Sequence, residues 1–255
     1  MPLALDLRLE WGPTGAAALV PECDVAVVVD VLTFSTTVSV AADRGVRVRP
    51  YRWAGGSAAE EAQRHEATLA VPRAVAAPGD VSLSPETFRT ANDVSRVVLP
   101  SPNGSTICSI LAEAGAAVVV ACLRNRRAVA AYLTERGGRV LLVPAGERWP
   151  DDSLRPAIED LWGAGAMAAV LLDDGDAVVE ASEGSQAAAA AYRLVEDRLG
   201  SALAACASGQ ELIDLGYASD VAIAAELDAS HAVPTLEDGW LVSPYVGIGL
   251  GGNWA

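Results

Sequence analysis

The sequence predicts an α/β fold in which a mostly parallel or mixed sheet is covered by helices on both faces, forming three α/β/α layers. Three short runs rich in valine, residues 25–31, 117–122 and 140–143, are apolar at nearly every position rather than at alternate ones. Such runs are typical of parallel strands that are buried on both faces. Each is followed by a segment with helical spacing, so strands and crossover helices alternate along the chain.

The first unit is the clearest. The run Val-Ala-Val-Val-Val-Asp-Val over residues 25–31 carries one charged residue, Asp30, and a helix follows that closes at Asp43-Arg44-Gly45. A lone buried carboxylate is costly unless it is paired, hydrogen-bonded or bound to a metal. Asp30 is therefore either a functional group or a structural acceptor for loop amides or an arginine, and this run alone leaves both interpretations open.

The middle of the chain continues the alternation. We predict a strand over residues 46–51, a helix through Glu60 and Arg64 after the break at residues 55–57, and a strand over 68–71. The stretch 72–85, rich in proline and glycine, is predicted to be a mobile loop over a site. A strand over 97–99 leads to a helix that ends near Gly115, and the run 117–122 leads to a helix that ends near Arg136.

Beyond the run 140–143 the pattern becomes mainly helical. Helices are predicted over residues 153–172 and 184–199, with shorter helical pieces around Glu211 and Asp220 and a last strand over 240–242. We expect residues 1–255 to form a single α/β domain, and a second lobe that begins near residues 140–150 is the alternative.

Composition excludes several classes of function. The formal net charge is -15, which disfavours nucleic acid as a partner, and no apolar run approaches the length of a membrane span. The N-terminus lacks the features of a signal peptide, so a cytoplasmic location is expected. All 18 basic residues are arginine, which excludes a Walker-type phosphate loop and a lysine Schiff base. The four cysteines are widely spaced, so neither a disulfide scaffold nor a zinc site is expected.

Polar side chains follow the predicted strands at the point where ligands bind to open α/β sheets. Asp30 is followed by Thr33 and the hydroxyl cluster at 35–37, and the strand at 97–99 is followed by Pro-Asn-Gly-Ser-Thr over 102–106. The latter can bind a phosphate through a glycine loop and a helix N-terminus, although an ordinary capped turn explains it as well. Glu159 and Asp160 are either metal ligands or first-turn acids that complement a helix dipole.

These segments resemble a known family. The segment from Asp30, Asp-Val-Leu-Thr-Phe-Ser-Thr-Thr, is similar to Asp-Val-Leu-Arg-Ala-Thr-Thr-Thr of the 2-phosphosulfolactate phosphatases, the ComB-like family. Leu-Ser-Pro at 83–85, Ser-Pro-Asn-Gly-Ser-Thr at 101–106 and the segment around Asn125 resemble later motifs in the same order. Ala-Gly at 145–146, the stretch 154–165 with Glu-Asp-Leu, and Ser-Asp at 219–220 continue the resemblance.

The resemblance implies a Mg²⁺-dependent phosphatase that acts on the phosphate ester of a small sulfonated or carboxylated 2-hydroxy acid. It implies that Asp30, Glu159 and Asp160 are metal ligands or catalytic groups and that Asn125 orients the phosphate. Phosphate binding is expected from Ser35, Thr36, Thr37, Asn103, Gly104, Ser105 and Thr106. Arginines suited to a second anionic group are Arg73, Arg148 and Arg155.

The chain departs from the family pattern beside Asp30. Thr33 replaces an arginine, Leu83 replaces an asparagine, and Pro72 replaces an acid before Arg73. The loss of this arginine weakens the case for a sulfonated substrate. Arg73, Arg148 or Arg155 could supply the missing positive charge. The stretch 147–152 has no counterpart in the pattern, which suggests a specificity element of a subgroup.

Two other classes of function stay open. The first is a diverged phosphate-binding or anion-binding protein without turnover, and the second is a phosphate-transferring enzyme or lyase on the same scaffold. The expected partner is a small phosphorylated acid, with no nucleic acid and no membrane. A homodimer is the expected assembly if copies of the chain associate.

Overall fold

The computed structural model describes residues 4–52, 58–173 and 178–243. The strands are β1 (Ala4–Leu9), β2 (Val25–Val29), β3 (Arg47–Arg52), β4 (Thr68–Leu69), β5 (Arg96–Ser101), β6 (Ala117–Ala121), β7 (Gly138–Pro144), β8 (Glu147–Arg148), β9 (Leu154–Arg155), β10 (Val178–Ala181), β11 (Thr235–Glu237) and β12 (Trp240–Val242). The helices are α1 (Gly12–Leu19), α2 (Phe34–Asp43), α3 (Ala58–Arg64), α4 (Pro85–Thr90), α5 (Gly104–Glu113), α6 (Arg126–Arg136), α7 (Ile158–Asp173), α8 (Glu183–Arg193), α9 (Leu199–Ala205), α10 (Ala207–Asp214) and α11 (Ala218–Ala224).

One mixed sheet organises the fold, with the strand order β10-β1-β7-β2-β6-β11-β12-β3-β5-β4. The first five strands of this order are parallel to their neighbours, and so are the last three. The antiparallel hairpin β11–β12 joins the two parallel groups, and each junction consists of a single residue pair, Thr235 with Val119 and Leu241 with Val48. The predicted α/β class with a mostly parallel, mixed sheet is therefore confirmed.

Strand β2 lies in the middle of the first parallel group, between β7 and β6. Val25, Val27 and Val29 face a core formed with α6, α7 and α8. Ala26 and Val28, which point to the opposite face, pack in a second core with α1, α2 and α5. The absence of alternation in this strand is thus explained, because both faces of the sheet are covered by helices.

Most predicted elements are present with small changes of boundary. The valine run forms β2, and Asp30 comes directly after it, followed by α2 up to Asp43. The runs at 97–99, 117–122 and 140–143 form β5, β6 and β7. The predicted break at residues 55–57 lies outside the described residues.

Two predicted helices are wrong in extent. Residues 153–157 are not helical: Leu154–Arg155 is strand β9, which pairs with β8, and α7 begins only at Ile158. Pro156 explains the difference, since a residue before proline is driven toward extended backbone. The second helix, α8, ends at Arg193, and a 3₁₀ turn at Glu196–Arg198 separates it from α9.

Besides β8 and β9, three strands were not predicted. Strand β1 pairs with both β10 and β7, so β1 and β10 extend the first parallel group at its outer edge. Strand β11 pairs with the predicted β12 across the turn Asp238-Gly239, where both residues have positive φ. An Asp-Gly pair flanked by Thr-Leu-Glu and Trp-Leu-Val is a hairpin signal, so β11 was detectable from the sequence. No helix in the described ranges is long and apolar enough to cross a membrane.

Candidate active site

Asp30 lies directly after β2 and is almost fully buried. Its Oδ1 accepts a hydrogen bond from the Phe34 amide at 3.1 Å, and its Oδ2 accepts one from the Gly104 amide at 3.0 Å. The carboxylate therefore connects the N-termini of α2 and α5, where helix dipoles favour negative charge. Burial nevertheless raises the pKa of Asp30 to about 6, against the effect of these two amides.

Gly104 is required for this contact. A Cβ atom at this position would lie 2.9 Å from Asp30 Oδ2 and would overlap the ring of Phe34. Only glycine allows the start of α5 to approach the carboxylate closely enough for the amide to donate. The Asn-Gly-Ser-Thr motif is thus explained by the close approach of main chain to Asp30.

Asp160, in the first turn of α7, is a second buried carboxylate held by amides. Its Oδ1 accepts from Val31 N at 2.7 Å and its Oδ2 from Gly146 N at 2.8 Å. Burial raises the pKa of Asp160 well above its usual value, and the charges of Asp30 and Glu159 raise it further. Asp160 therefore fixes the loops that follow β2 and β7 at the same place.

Glu147 and Glu159 complete a group of four carboxylates at this edge of the sheet. Glu147, at the start of β8, accepts a hydrogen bond from Asn103 Nδ2 at 3.0 Å. Burial raises the pKa of Glu147 to about 7, and the charge of Asp30 contributes to this shift. Glu159 is buried, and its charge acts on Asp30, on Glu147 and on Asp160.

Glu147 was predicted only as part of the specificity element at 147–152 and was given no catalytic or metal-binding role, although it follows β7 at the end where ligands bind. The position of Glu147 beside Asp30 depends on the hairpin β8–β9, and the helix predicted over 153–172 left no room for that hairpin. In that hairpin Glu147 pairs with Arg155, and Arg148 pairs with Leu154. The stretch without a counterpart in the family pattern is thus a short hairpin at the site.

The predicted hydroxyl cluster is buried and bonds to main chain. Ser35 Oγ donates to Val28 O, Thr36 Oγ1 to Val31 O and Thr37 Oγ1 to Leu83 O. Ser105 Oγ donates to Leu99 O. These hydroxyls shape the loops around Asp30, and their protons already have acceptors.

The start of α5 retains main-chain donors near Asp30. The first amides of a helix have no acceptor within it. The Gly104 amide donates to Asp30, and the Ile107 amide donates to Asn103 O. The amides of Ser105 and Thr106 lie between these two along the chain. The Asn103 side chain bonds to Glu147 and also accepts from Arg148 Nε at 3.3 Å.

Asn125 is buried in the loop after β6, and main-chain groups satisfy its side chain. Its Oδ1 accepts from the Cys122 amide at 2.8 Å, and its Nδ2 donates to Ala232 O at 3.0 Å and Val120 O at 3.3 Å. The described hydrogen bonds of its side chain do not include one to the four carboxylates. Asn125 holds the loop that follows β6 in place.

The three predicted arginines differ in what they contact. Arg73 Nη2 donates to Thr33 Oγ1 and, at 3.0 Å, to Leu83 O, and its charge lowers the pKa of Asp30. Arg148 donates to Asn103 Oδ1, Pro102 O and Asp152.

Arg155, on β9, donates from both terminal nitrogens to the carboxylate of Glu211. Its charge also lowers the pKa of Glu147, although burial and other carboxylates raise that pKa more. Arg73 thus acts on the four carboxylates from the 3₁₀ turn at Arg73–Val75, and Arg155 acts on them from β9.

The fit of a metal ion can be tested on these residues. Within the described part of the chain, no group of three or more histidine, cysteine, aspartate or glutamate side chains is arranged to hold an ion. Asp30, Glu159 and Asp160 therefore do not form a closed three-ligand cage. Four neighbouring carboxylates still offer the oxygen donors that Mg²⁺ prefers, and Mg²⁺ is often bound through one or two carboxylates with several waters.

Most of the chain is similar to proteins of one known family. The family model described as "2-phosphosulpholactate phosphatase" matches residues 16–239. A curated protein of Deinococcus radiodurans named "Probable 2-phosphosulfolactate phosphatase" is 33% identical over 221 residues, which cover 85% of this chain and 89% of that protein. A protein of Thermosynechococcus vestitus with the same name is 30% identical over 152 residues, 58% of each chain.

Proposed function

Because this chain belongs to the 2-phosphosulfolactate phosphatase family, we propose that it hydrolyses 2-phosphosulfolactate or a carboxylate analogue to the hydroxy acid and phosphate. The observation that carries this proposal is Asp30, a buried carboxylate between two helix N-termini and beside Glu147 and Glu159. Such a group can act on a phosphoryl group that binds the same helix N-termini.

We assign phosphate binding mainly to main chain. The amides of Ser105 and Thr106 lie at the end of α5 at which an anion is favoured, and Gly104 lets this end of α5 approach Asp30. The buried hydroxyls of Ser35, Thr36 and Thr37 support this site by fixing the loop after β2. Asn125 supports it in the same way from the loop after β6.

We further propose that the enzyme depends on Mg²⁺, with Asp30 and Glu159 as the carboxylates best suited to bind it. A bound Mg²⁺ would supply a Lewis acid that offsets the charge of the phosphoryl oxygens. The proposal is supported by the excess of carboxylates over arginines at this edge of the sheet. Asp160 stays a third candidate ligand, because its oxygens accept from main-chain amides in the same way as those of Asp30.

Phosphate release from 2-phosphosulfolactate and from 2-phospholactate, by the purified full chain, tests this function. We expect turnover with Mg²⁺ and its loss with a chelator. Asp30→Asn should lower the turnover rate by about 100-fold or more, since groups of this kind contribute that much to catalysis. The matched control is Asp197→Asn, at an exposed aspartate, which should keep wild-type activity.

Asp30→Asn also turns one acceptor oxygen into a donor that faces a main-chain amide, so thermal unfolding must show that the variant is folded. Phosphate release that is unaffected in a folded Asp30→Asn variant would refute the assignment. Ligand binding without release, by the wild-type chain with Mg²⁺ present, would instead support a binding protein on the same fold.

A further inference from the structure

We propose that Asp220, together with Ser84, positions Arg73 so that its guanidinium binds the acid group next to the phosphoester of the substrate. This inference rests on the proposed function and adds to it the group that recognises the acid. Asp220 and Ser84 are then positioning residues, and Arg73 is the residue that contacts the substrate. Three observations carry the assignment.

First, Asp220 is fully buried and oriented by Ser84. Ser84 Oγ donates to Asp220 Oδ1 at 2.5 Å, while Asp220 Oδ2 lies 3.3 Å from Arg73 Nε. Among the described residues, neither Oδ2 nor Nε has a hydrogen bond of good geometry to any other group. These two buried atoms therefore depend on each other, because an unpaired buried charge is strongly unfavourable.

Second, the guanidinium is held on several sides. Arg73 Nη2 donates to Thr33 Oγ1 and to Leu83 O, and the ring of Tyr217 lies 5.5 Å from the guanidinium carbon. Thr33 stands where the family pattern has an arginine. Arg73, from the neighbouring loop, thus places a cation at the hydroxyl of Thr33, the residue that replaces the arginine of the family pattern.

Third, Arg73 retains a free donor near the reaction centre. None of the hydrogen bonds between described residues uses its Nη1, and its charge lowers the pKa of Asp30. Arg148 and Arg155, by contrast, use their terminal nitrogens on Asp152, Pro102 O and Glu211. Arg73 is therefore the predicted arginine best placed to bind a sulfonate or carboxylate beside the phosphoryl group.

A pair of substrates separates this role from a merely structural one. 2-Phospholactate carries the acid group, and isopropyl phosphate has the same carbon branching without it. We expect Asp220→Asn to raise the KM for 2-phospholactate by about 10-fold to 100-fold, because a misplaced binding group loses that much. The kcat/KM for isopropyl phosphate should stay within about 2-fold of wild type, because this substrate lacks the acid group.

Further variants keep the test independent of folding. Ser84→Ala should also raise the KM for 2-phospholactate selectively, but by less than Asp220→Asn does. Asp220→Asn should add little to the effect of Arg73→Ala, since both changes disrupt the same pair of side chains. Asp214→Asn, at an exposed aspartate of the neighbouring α10, is the matched control and should behave as wild type. Equal losses on both substrates would show that Arg73 acts on the phosphoryl group and would overturn the inference.

A binding measurement separates this inference from the proposed function. Calorimetry with sulfolactate, the product acid, should show binding that Asp220→Asn weakens by about 10-fold or more, whether or not the chain turns over. A wild-type chain without phosphatase activity but with this Asp220-dependent binding would refute the proposed function and leave the inference standing. Equal affinity in wild type and a folded Asp220→Asn variant would refute the inference alone.

Discussion

Asp30 keeps its position because main-chain amides bond to both of its oxygens. A side chain fixed in this way loses little conformational entropy when a ligand binds, and the direction of its remaining lone pairs is set by the starts of α2 and α5. The cost appears in its raised pKa, of which burial is the largest cause. The same arrangement recurs at Asp160, so two buried carboxylates hold three loops together.

At the scale of single residues, Gly104→Ala tests the close approach to Asp30. The added methyl group would contact Asp30 Oδ2 and the ring of Phe34, so the start of α5 has to move away. We expect a loss of about 1–3 kcal/mol in the free energy of unfolding from overpacking. Because the Gly104 amide would no longer reach Asp30, kcat/KM should fall by about 100-fold.

The control for this change is Gly200→Ala in α9. A Cβ there would lie 3.9 Å from Ala225 Cβ, which is an ordinary contact, so stability and activity should be retained. Urea unfolding followed by circular dichroism and initial-rate kinetics measure both effects. Wild-type activity in Gly104→Ala would show that the bond between Asp30 and the Gly104 amide is dispensable.

The sequence pattern predicted which residues lie near Asp30 better than it predicted what they contact. Asp30 and Gly104 were identified because a buried carboxylate and a glycine before a helix both require an explanation. The hydroxyls of Ser35, Thr36 and Thr37 have the composition of a phosphate site, yet they bond to main chain. A hydroxyl that binds a ligand and one that binds a carbonyl look the same in a sequence, since only the fold determines which partner is near.

At the scale of elements, the hairpin β8–β9 connects the loop after β5 to α10. Arg148 reaches Asn103 and Pro102 at one end, and Arg155 reaches Glu211 at the other. Between these anchors the hairpin presents Glu147 to Asn103, beside Asp30. Its place at the site is therefore held by side-chain hydrogen bonds at both ends.

A double-mutant cycle tests this anchoring. Arg148→Ala and Asn103→Ala should each lower kcat/KM by about 10-fold, and the double variant should lose much less than the product of the two. The coupling arises because both residues hold Glu147 in place. As the control, Arg139→Ala, at an exposed pair with Asp24, should combine additively with Asn103→Ala. Full additivity of Arg148→Ala with Asn103→Ala would show that the hairpin does not act through Asn103.

Long buried elements were predictable and short paired ones were not. Strands β2, β6 and β7 are apolar at nearly every position, which few other structures require. Strands β8 and β9 have two residues each, so their pairing leaves no periodic signal. In such elements the partner strand and Pro156, rather than a hydrophobic pattern, determine the backbone.

At the scale of the whole molecule, the strand order places β2 and β5 far apart in the sheet. The loops that follow them still meet, because the start of α5 reaches back to Asp30 across the face that α2 and α5 cover. Loops at one edge of an open sheet meet most simply when their strands are neighbours. In the structure, helix packing brings these loops together instead, and sequence patterns carry little information about how helices pack on a sheet.

The last prediction concerns whether the chain unfolds as one unit. Val27 packs in the core with α6, α7 and α8, and Val28 packs in the core with α2 and α5, yet they are adjacent in one strand. Unfolding either helical layer exposes one face of β2, so the two cores should be lost together. Val27→Ala and Val28→Ala should each lower the free energy of unfolding by about 2 kcal/mol through lost burial and a residual cavity.

Urea unfolding followed by both circular dichroism and tryptophan fluorescence measures this cooperativity. We expect one coincident transition, with each variant shifting the midpoint and leaving the m-value unchanged, as a single two-state domain requires. Two separate transitions, of which Val27→Ala shifts only one, would support a second lobe that begins near residues 140–150. Because α7 and α8 both follow that boundary, α7 packs on β2 and α8 packs on α7 and β1, a shared transition would show that they are part of the same cooperative unit as Asp30 and its loops.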